Sequence, residues 1–190
     1  MWRRETRRLS KAIHLTRRAL IASAGLALAA PAILRRARAQ AGVAEIGMQS
    51  NQLGSKVWFD PVGLLVEPGT VVRWHLHANV HTATAYHPAN DRHSLRIPEA
   101  AEPWDSGVLV HPGDGFEVTL TEDGVYDYYC APHELAGMVG RIIVGRPAGP
   151  GLEPFDYFER LDPRPDWQPV PEAAQAAFPP VEAIMEQGRV

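Results

Sequence analysis

The sequence predicts an all-β domain, a sandwich of two sheets, in the middle of the chain. Between residues 43 and 144, short runs rich in β-branched and aromatic residues follow one another without a helical stretch of any length. Turn-forming Gly, Pro, Asn and Asp residues separate these runs. Along residues 71–77, polar and apolar side chains alternate, which is typical of a strand with one buried face.

The strands are predicted from these runs in chain order. They are VAEIGM, VWF, LLV, TVVRWHL, VHTATAY, FEVTL, VYDYYC and GRIIV. Tight reversals are predicted at residues 67–69, 112–115 and 122–124, where Pro restricts φ or Gly permits a positive φ. Residues 87–104 are polar and contain proline, so they are expected to form a long loop at one end of the sandwich.

Residues 1–39 have the pattern of an export signal. They contain ten Lys and Arg against one acidic residue, with an apolar stretch that is short for a membrane span. Arg17 and Arg18 resemble a bacterial twin-arginine signal, and cleavage is expected after Ala39, near Gln40. The mature protein is then periplasmic and without a membrane span. A short anchor that stays uncut is the alternative.

The charge and cysteine content of residues 40–190 exclude several classes of protein. Nine Lys and Arg stand against 21 Asp and Glu, a net charge of −12, which is unsuited to binding nucleic acid. The chain has one cysteine, Cys130. A disulfide within the chain, a zinc ribbon, an iron–sulfur cluster and a two-cysteine copper centre are therefore excluded.

Residues 146–190 differ from the β-rich part. Nine of the 17 prolines fall in this tail, so no further regular sheet is expected there. Short helices are predicted at residues 172–178 and 181–187, the second begun by Pro180 and ended by Gly188. A disordered linker is the alternative, but several aromatic side chains favour a tail that packs on its own domain. These are Phe155, Tyr157, Phe158 and Trp167.

A set of soft ligands points to a copper site. Cys130, His133 and Met138 offer a thiolate, an imidazole and a thioether within one loop between two predicted strands. This combination favours copper over calcium and magnesium, which prefer oxygen ligands, and over structural zinc, which seldom binds a thioether. His81 is the best candidate for the fourth ligand, since it begins a neighbouring predicted strand.

Several segments together resemble the cupredoxins of the plastocyanin and pseudoazurin kind. They are FDPVGLLVEPGTVVRW, His81-Thr82, the WDSG turn at residues 104–107, Pro112-Gly113 and the Cys-x2-His-x4-Met motif. The resemblance covers about residues 41–145 and marks residues 40–145 as the copper-binding domain. It implies an eight-stranded Greek-key sandwich with a type 1 copper site. His81, Cys130 and His133 would be the equatorial ligands and Met138 the weak axial ligand.

The resemblance also assigns roles to residues around the ligands. Thr82 occupies the place where many such proteins have an Asn that ties the two ligand loops together, and its hydroxyl is expected to substitute. Pro132 has no amide hydrogen to donate to the sulfur, which favours the oxidised site and lowers its potential. An apolar patch is expected around the edge of His133. It consists of Ala131, Pro132, Leu135, Ala136 and Gly137.

The predicted function is one-electron transfer in the periplasm by a monomer that cycles one copper ion between Cu(I) and Cu(II). A c-type cytochrome or a copper oxidoreductase is the expected partner. A copper storage or delivery protein and a copper subunit of a larger redox complex are the alternatives. An enzyme is disfavoured, because four protein ligands leave no position for substrate.

The remaining histidines are expected to be bystanders. His75, His77 and His81 form an H-x-H-x3-H pattern that could hold a second metal, but exposed strand histidines are common and we favour that interpretation. His87, His93 and His111 are expected to be loop or surface residues.

Overall fold

The structure, a computed structural model, describes residues 42–190, so the export signal predicted for residues 1–39 lies outside the described residues. Two four-stranded sheets have the orders β2-β1-β4-β6 and β3-β8-β7-β5, which confirms the predicted all-β sandwich. The strands are β1 (Val43–Ser50), β2 (Val57–Asp60), β3 (Gly63–Val66), β4 (Thr70–Leu76), β5 (Thr84–Ala85), β6 (Gly115–Leu120), β7 (Gly124–Tyr129) and β8 (Val139–Val144).

The pairing of β7 with β8 creates the loop that carries the predicted ligands. The two strands are antiparallel neighbours, and Tyr129 lies opposite Val139. Residues 130–138, here called the ligand loop, therefore start and finish at adjacent strand ends. Within the loop, residues Ala131–Ala136 form a 3₁₀ helix that begins with a proline in its first turn and ends at Gly137 in the left-handed conformation.

The core lies between the two sheets. On β4 the predicted alternation holds: Val72, Trp74 and Leu76 are buried, and the residues between them are partly exposed. The Trp74 ring lies 5.8 Å from that of Trp104 and 5.3 Å from that of Tyr128, measured between centroids. This packed aromatic group supports β7 directly below the ligand loop.

The predicted strand VHTATAY, residues 80–86, is shorter in the structure, where only the two residues of β5, Thr84 and Ala85, form a regular strand. The backbone N–H of Thr82 points to Cys130 Sγ, and the N–H of Ala83 donates to Ser106 Oγ. Because side chains accept these hydrogen bonds, the segment cannot continue the ladder of the sheet. His81 makes only an isolated bridge, to Leu109.

The connecting loop, residues 87–104, is more deeply buried than its polar sequence predicts. His93 was expected at the surface, but it is 7% exposed. It forms a parallel bridge with Gln168 of the tail, and Ser94 N–H donates to the Gln168 carbonyl. The loop and the tail thus cover each other.

The tail packs on the outer face of the sheet that contains β7 and β8. Its helices are α1 (Tyr157–Arg160), α2 (Glu172–Ala177) and α3 (Val181–Gln187), and a 3₁₀ turn covers Pro150–Leu152. Ala174 and Ile184 are fully buried against the domain. None of the helices within residues 42–190 combines the length and hydrophobicity needed to traverse a bilayer.

A buried ion group joins the outer face of β7 to the tail. The Asp127 carboxylate accepts hydrogen bonds from Arg96 at 2.8 Å and from Arg141 at 2.7 and 2.9 Å. The two arginines also donate to tail carbonyl groups, Arg96 to those of Gly151 and Glu153 and Arg141 to that of Pro179. One carboxylate therefore orients two cations that hold the tail in place.

Candidate metal centre

Three side chains converge at the end of β7. The Nδ1 atoms of His81 and His133 are 3.2 Å apart, and Cys130 Sγ lies 3.4 Å from the first and 3.3 Å from the second. Within residues 42–190 this is the only group of three or more His, Cys, Asp or Glu residues with ligand atoms so close together. His81 and Cys130 are buried, and His133 is partly exposed.

The spacing of these three atoms suits a metal ion. The centre of a triangle with sides near 3.3 Å lies about 1.9 Å from each corner (3.3/√3). Bonds from a metal to imidazole nitrogen and to thiolate sulfur are about 2.0–2.3 Å long, so the three atoms would be able to hold one metal ion between them. Two nitrogens and one sulfur in this arrangement are a ligand set that copper prefers.

Burial keeps the three groups neutral in the metal-free chain. Burial and the nearby His133 lower the pKa of His81 to about 4, and burial lowers the pKa of His133 below its usual value. Burial raises the pKa of the Cys130 thiol to about 11. At neutral pH both imidazoles therefore have free lone pairs, and a cation that binds must replace the thiol proton.

Met138 ends the ligand loop in a position fixed by the backbone. Its N–H donates to the His133 carbonyl at 3.1 Å, and its carbonyl accepts the N–H of Cys130 at 3.0 Å. The Met138 side chain is fully buried. These contacts join it to two of the three converging residues, while its role as the axial ligand stays a prediction.

Thr82 connects the His81 segment to the ligand loop. Its hydroxyl accepts the N–H of Ala131 at 2.8 Å and is hydrogen-bonded to the Thr84 hydroxyl at 3.0 Å. Its own N–H lies 3.4 Å from Cys130 Sγ. Pro132 has no N–H, whereas the backbone N–H groups of Thr82 and His133 both face the sulfur and oppose the rise in the pKa of its thiol.

Replacing Thr82 with valine should weaken the metal centre. Valine has nearly the same shape but cannot accept the Ala131 N–H, which costs about 1 kcal/mol of stability. We expect copper to pass to a chelator about ten times faster, since contacts that orient ligands have effects of at least this size. Thr119→Val, at an exposed position of β6, is the matched control. Equal release rates in the two variants would show that the Thr82 hydroxyl does not hold the loop.

The surface of the ligand loop is apolar. Ala131, Pro132, Leu135 and Ala136 are exposed, and Leu135 is 80% exposed. Gly137 is partly exposed beside them. These are the residues predicted to surround the edge of His133, and the structure places them on one turn. Two further valines are exposed that sequence analysis did not include in this patch. Val80 directly precedes His81, and Val108 directly precedes Leu109, with which His81 forms a β-bridge.

The other histidines stand apart from this centre. The His75 ring contacts the Glu45 carboxylate on the outer face of β4, where Glu45 also pairs with Arg73. His77 is exposed. Within the described residues, no third ligand joins these two histidines in a compact group, so the exposed-strand interpretation fits them better than a second metal site.

Sequence analysis missed a polar network behind the ligand loop. Glu134, next to His133, is buried and hydrogen-bonded to Tyr86 and His93. One feature of the sequence could have indicated this network: Glu134 is an acidic residue between His133 and Leu135 in an otherwise apolar loop.

Comparison with known proteins identifies relatives of this chain. The model of the family described as copper binding proteins, plastocyanin/azurin family, matches residues 45–145. A chloroplastic plastocyanin from Hordeum vulgare is 35% identical over 133 residues, which are 65% of this chain and 75% of that protein. A plastocyanin from Lactuca sativa is 52% identical over 40 residues, 21% of this chain, and the match spans only 40% of the relative's length.

A solved structure agrees with these sequence matches. A pseudoazurin from Sinorhizobium is 26% identical, with a TM-score of 0.51, and the alignment covers 77% of this chain and 98% of that one. This alignment extends beyond the 101 residues that the family model matches.

Proposed function

The chain belongs to the plastocyanin/azurin family of copper-binding proteins, and on this basis we propose that it is an electron carrier that accepts and donates one electron through a single copper ion. Copper is the cofactor of this family. The observation that carries the proposal is the triangle of His81, Cys130 and His133 with sides of 3.2–3.4 Å. Bound copper supplies the Cu(I)/Cu(II) couple.

Each predicted ligand has a distinct task in this proposal. Cys130 would provide a thiolate ligand, which follows directly on β7 and would connect the ion to that strand. His81 and His133 would contribute two imidazole nitrogens, and Met138 would contribute a thioether sulfur. The packed core below and the hydrogen bonds of Thr82 keep these side chains in one arrangement, so little has to move when the oxidation state changes.

His133 is the proposed exit for the electron. It is the most exposed of the three converging residues, and the apolar turn around it offers a small surface for a short-lived contact. No side chain on this patch is charged at neutral pH, because Glu134 points inward and burial lowers the pKa of His133. Two proteins can therefore approach closely there without desolvating ions.

The surplus of acidic residues suggests what kind of partner docks. Residues 42–190 contain 21 Asp and Glu but only nine Lys and Arg, and seven of these cations already form an ion pair with a carboxylate. Most of the other acidic side chains therefore have no cation to neutralise them. A protein with a basic face, such as a c-type cytochrome, would be attracted from a distance. We further infer that the protein works as a monomer and that it does so in the periplasm, a location that the signal-like residues 1–39 support.

The test is electron exchange between the copper-loaded protein and a basic c-type cytochrome, followed by stopped-flow absorption. We expect complete oxidation of the reduced cytochrome by the Cu(II) protein, or the reverse, with a rate that falls about tenfold as salt is raised from low to high ionic strength. An acidic cytochrome is the matched control and should react slowly. Rapid loss of Cu(I) to a chelator, with no electron exchange, would instead support copper delivery.

A further inference from the structure

In the turn that contains Glu134, the charged side chain is buried and an apolar side chain is exposed, the opposite of the usual arrangement. In the 3₁₀ helix Ala131–Ala136 it is the buried residue, at 9% exposure, whereas Leu135 is 80% exposed. Glutamate is rarely buried unless it is paired. A specific set of contacts must therefore hold this carboxylate inside.

The carboxylate has one partner on each oxygen. The Tyr86 hydroxyl donates to Oε1 at 2.6 Å, and His93 Nε2 lies 3.2 Å from Oε2. Tyr86 directly follows β5, and His93 belongs to the connecting loop. Two separate segments thus hold the residue that follows His133.

The network continues to the residue that precedes Cys130. Nδ1 of His93 lies 2.9 Å from the Asn90 carbonyl oxygen and 3.2 Å from the Tyr129 hydroxyl. Because both ring nitrogens face oxygen atoms, His93 fits the charged imidazolium form. Burial opposes this charge, but the hydrogen bond to Glu134 and the Asn90 carbonyl outweigh it and raise the pKa of His93.

The tail seals this network from water. Val170 and Ala174 pack on Tyr86 and Tyr129, and the Phe178 ring lies 6.0 Å from that of Tyr86. Gln168 N–H donates to the Arg92 carbonyl, immediately before His93. A buried and fully paired network of this kind holds its members in a single arrangement.

We propose that Glu134 is a positioning residue of the copper centre, anchored by Tyr86 and His93, which fixes the turn that carries His133. This inference rests on the copper-binding function proposed above. A six-residue 3₁₀ helix has weak internal hydrogen bonds and little stability of its own. Without the buried anchor the turn can shift, and with it His133 Nδ1, while Cys130 stays fixed at the end of β7.

The experiment uses the mature, copper-loaded protein with Tyr86→Phe and Glu134→Gln. Tyr86→Phe removes one hydroxyl without changing charge. Tyr126→Phe is the matched control, since this buried tyrosine donates to the Glu122 carbonyl in the turn at the start of β7, at the other end of that strand from the ligand loop. Copper affinity is measured by competition with a chromogenic Cu(I) chelator. The visible and electron paramagnetic resonance spectra of the Cu(II) form, and unfolding of the metal-free form, are recorded in parallel.

We expect Tyr86→Phe and Glu134→Gln each to weaken copper binding about 10- to 100-fold and to change both spectra. Tyr126→Phe should affect only the unfolding curve. In the double variant, the effects should be less than additive, because both substitutions remove the same anchor. If Glu134→Gln does not fold, Tyr86→Phe alone decides.

Normal affinity and spectra in Tyr86→Phe, or an equal loss in Tyr126→Phe, would overturn the positioning role and leave the copper carrier intact. A wild-type protein that shows no thiolate-to-copper absorption would instead contradict the proposed function itself. The two failures are therefore distinguishable in one series of measurements.

Discussion

Cys130→Ser should abolish the intense visible absorption of the copper-loaded protein. The absorption arises when charge moves from a thiolate to Cu(II), and a serine hydroxyl stays protonated at neutral pH and offers a harder oxygen. Cys130 Sγ is one corner of the triangle with the two imidazoles, so its removal also deprives the site of its only thiolate. Titration of the metal-free protein with Cu(II), followed across the visible spectrum, measures both effects.

Met138→Leu is the matched control for this prediction. It removes a sulfur from the same loop, but one that we assign as a weak axial ligand, so the absorption should shift and persist. Cys130→Ser changes volume little, and unfolding of the metal-free form in urea should confirm that the variant is folded. A strong visible band in Cys130→Ser, or a colourless wild type with bound copper, would contradict the type 1 assignment.

The ligand loop could be predicted because its information is local. Cys130, His133 and Met138 lie within nine residues, and their chemical character points to copper without knowledge of the fold. His81 is different, since it approaches the loop only through the pairing of distant segments. It was predicted because it begins a neighbouring predicted strand, and the resemblance to cupredoxins implied the same ligand; the structure places its Nδ1 within 3.4 Å of Cys130 Sγ.

The Glu134 network could not be predicted, because nothing local links its members. Tyr86, His93 and Glu134 come from three segments separated by up to 48 residues. A histidine in a polar, proline-containing loop looks solvent-exposed, and only the docking of the tail on that loop buries it. Burial that results from packing between irregular segments leaves no periodic pattern in a sequence.

Strand periodicity also fails where side chains replace the sheet ladder. Residues 80–86 have the β-branched and aromatic composition of a strand, and composition gives no sign that Cys130 and Ser106 accept their N–H groups. The tail helices were easier to predict, because Pro180 and Gly188 mark the start and end of α3 in the sequence itself.

Asp127→Asn should destabilise the domain more than any change of a single exposed charge. The Asp127 side chain is fully buried and is the carboxylate between Arg96 and Arg141, both of which are nearly buried as well. Asparagine keeps the shape but leaves two cations without a counter-charge, which costs about 3–5 kcal/mol in the free energy of unfolding. Urea unfolding of the metal-free protein measures this loss.

Asp123→Asn is the control, since Asp123 pairs with an arginine that is 90% exposed, and its loss should cost less than about 1 kcal/mol. The two arginines of the buried group also donate to tail carbonyls, so Asp127→Asn should release the tail first. Hydrogen exchange in residues 150–180 would then increase before the β-sheets unfold. If Asp127→Asn unfolds at the same urea concentration as Asp123→Asn, the buried carboxylate does not stabilise the fold, and the tail must be held by the apolar contacts of α2 and α3 alone.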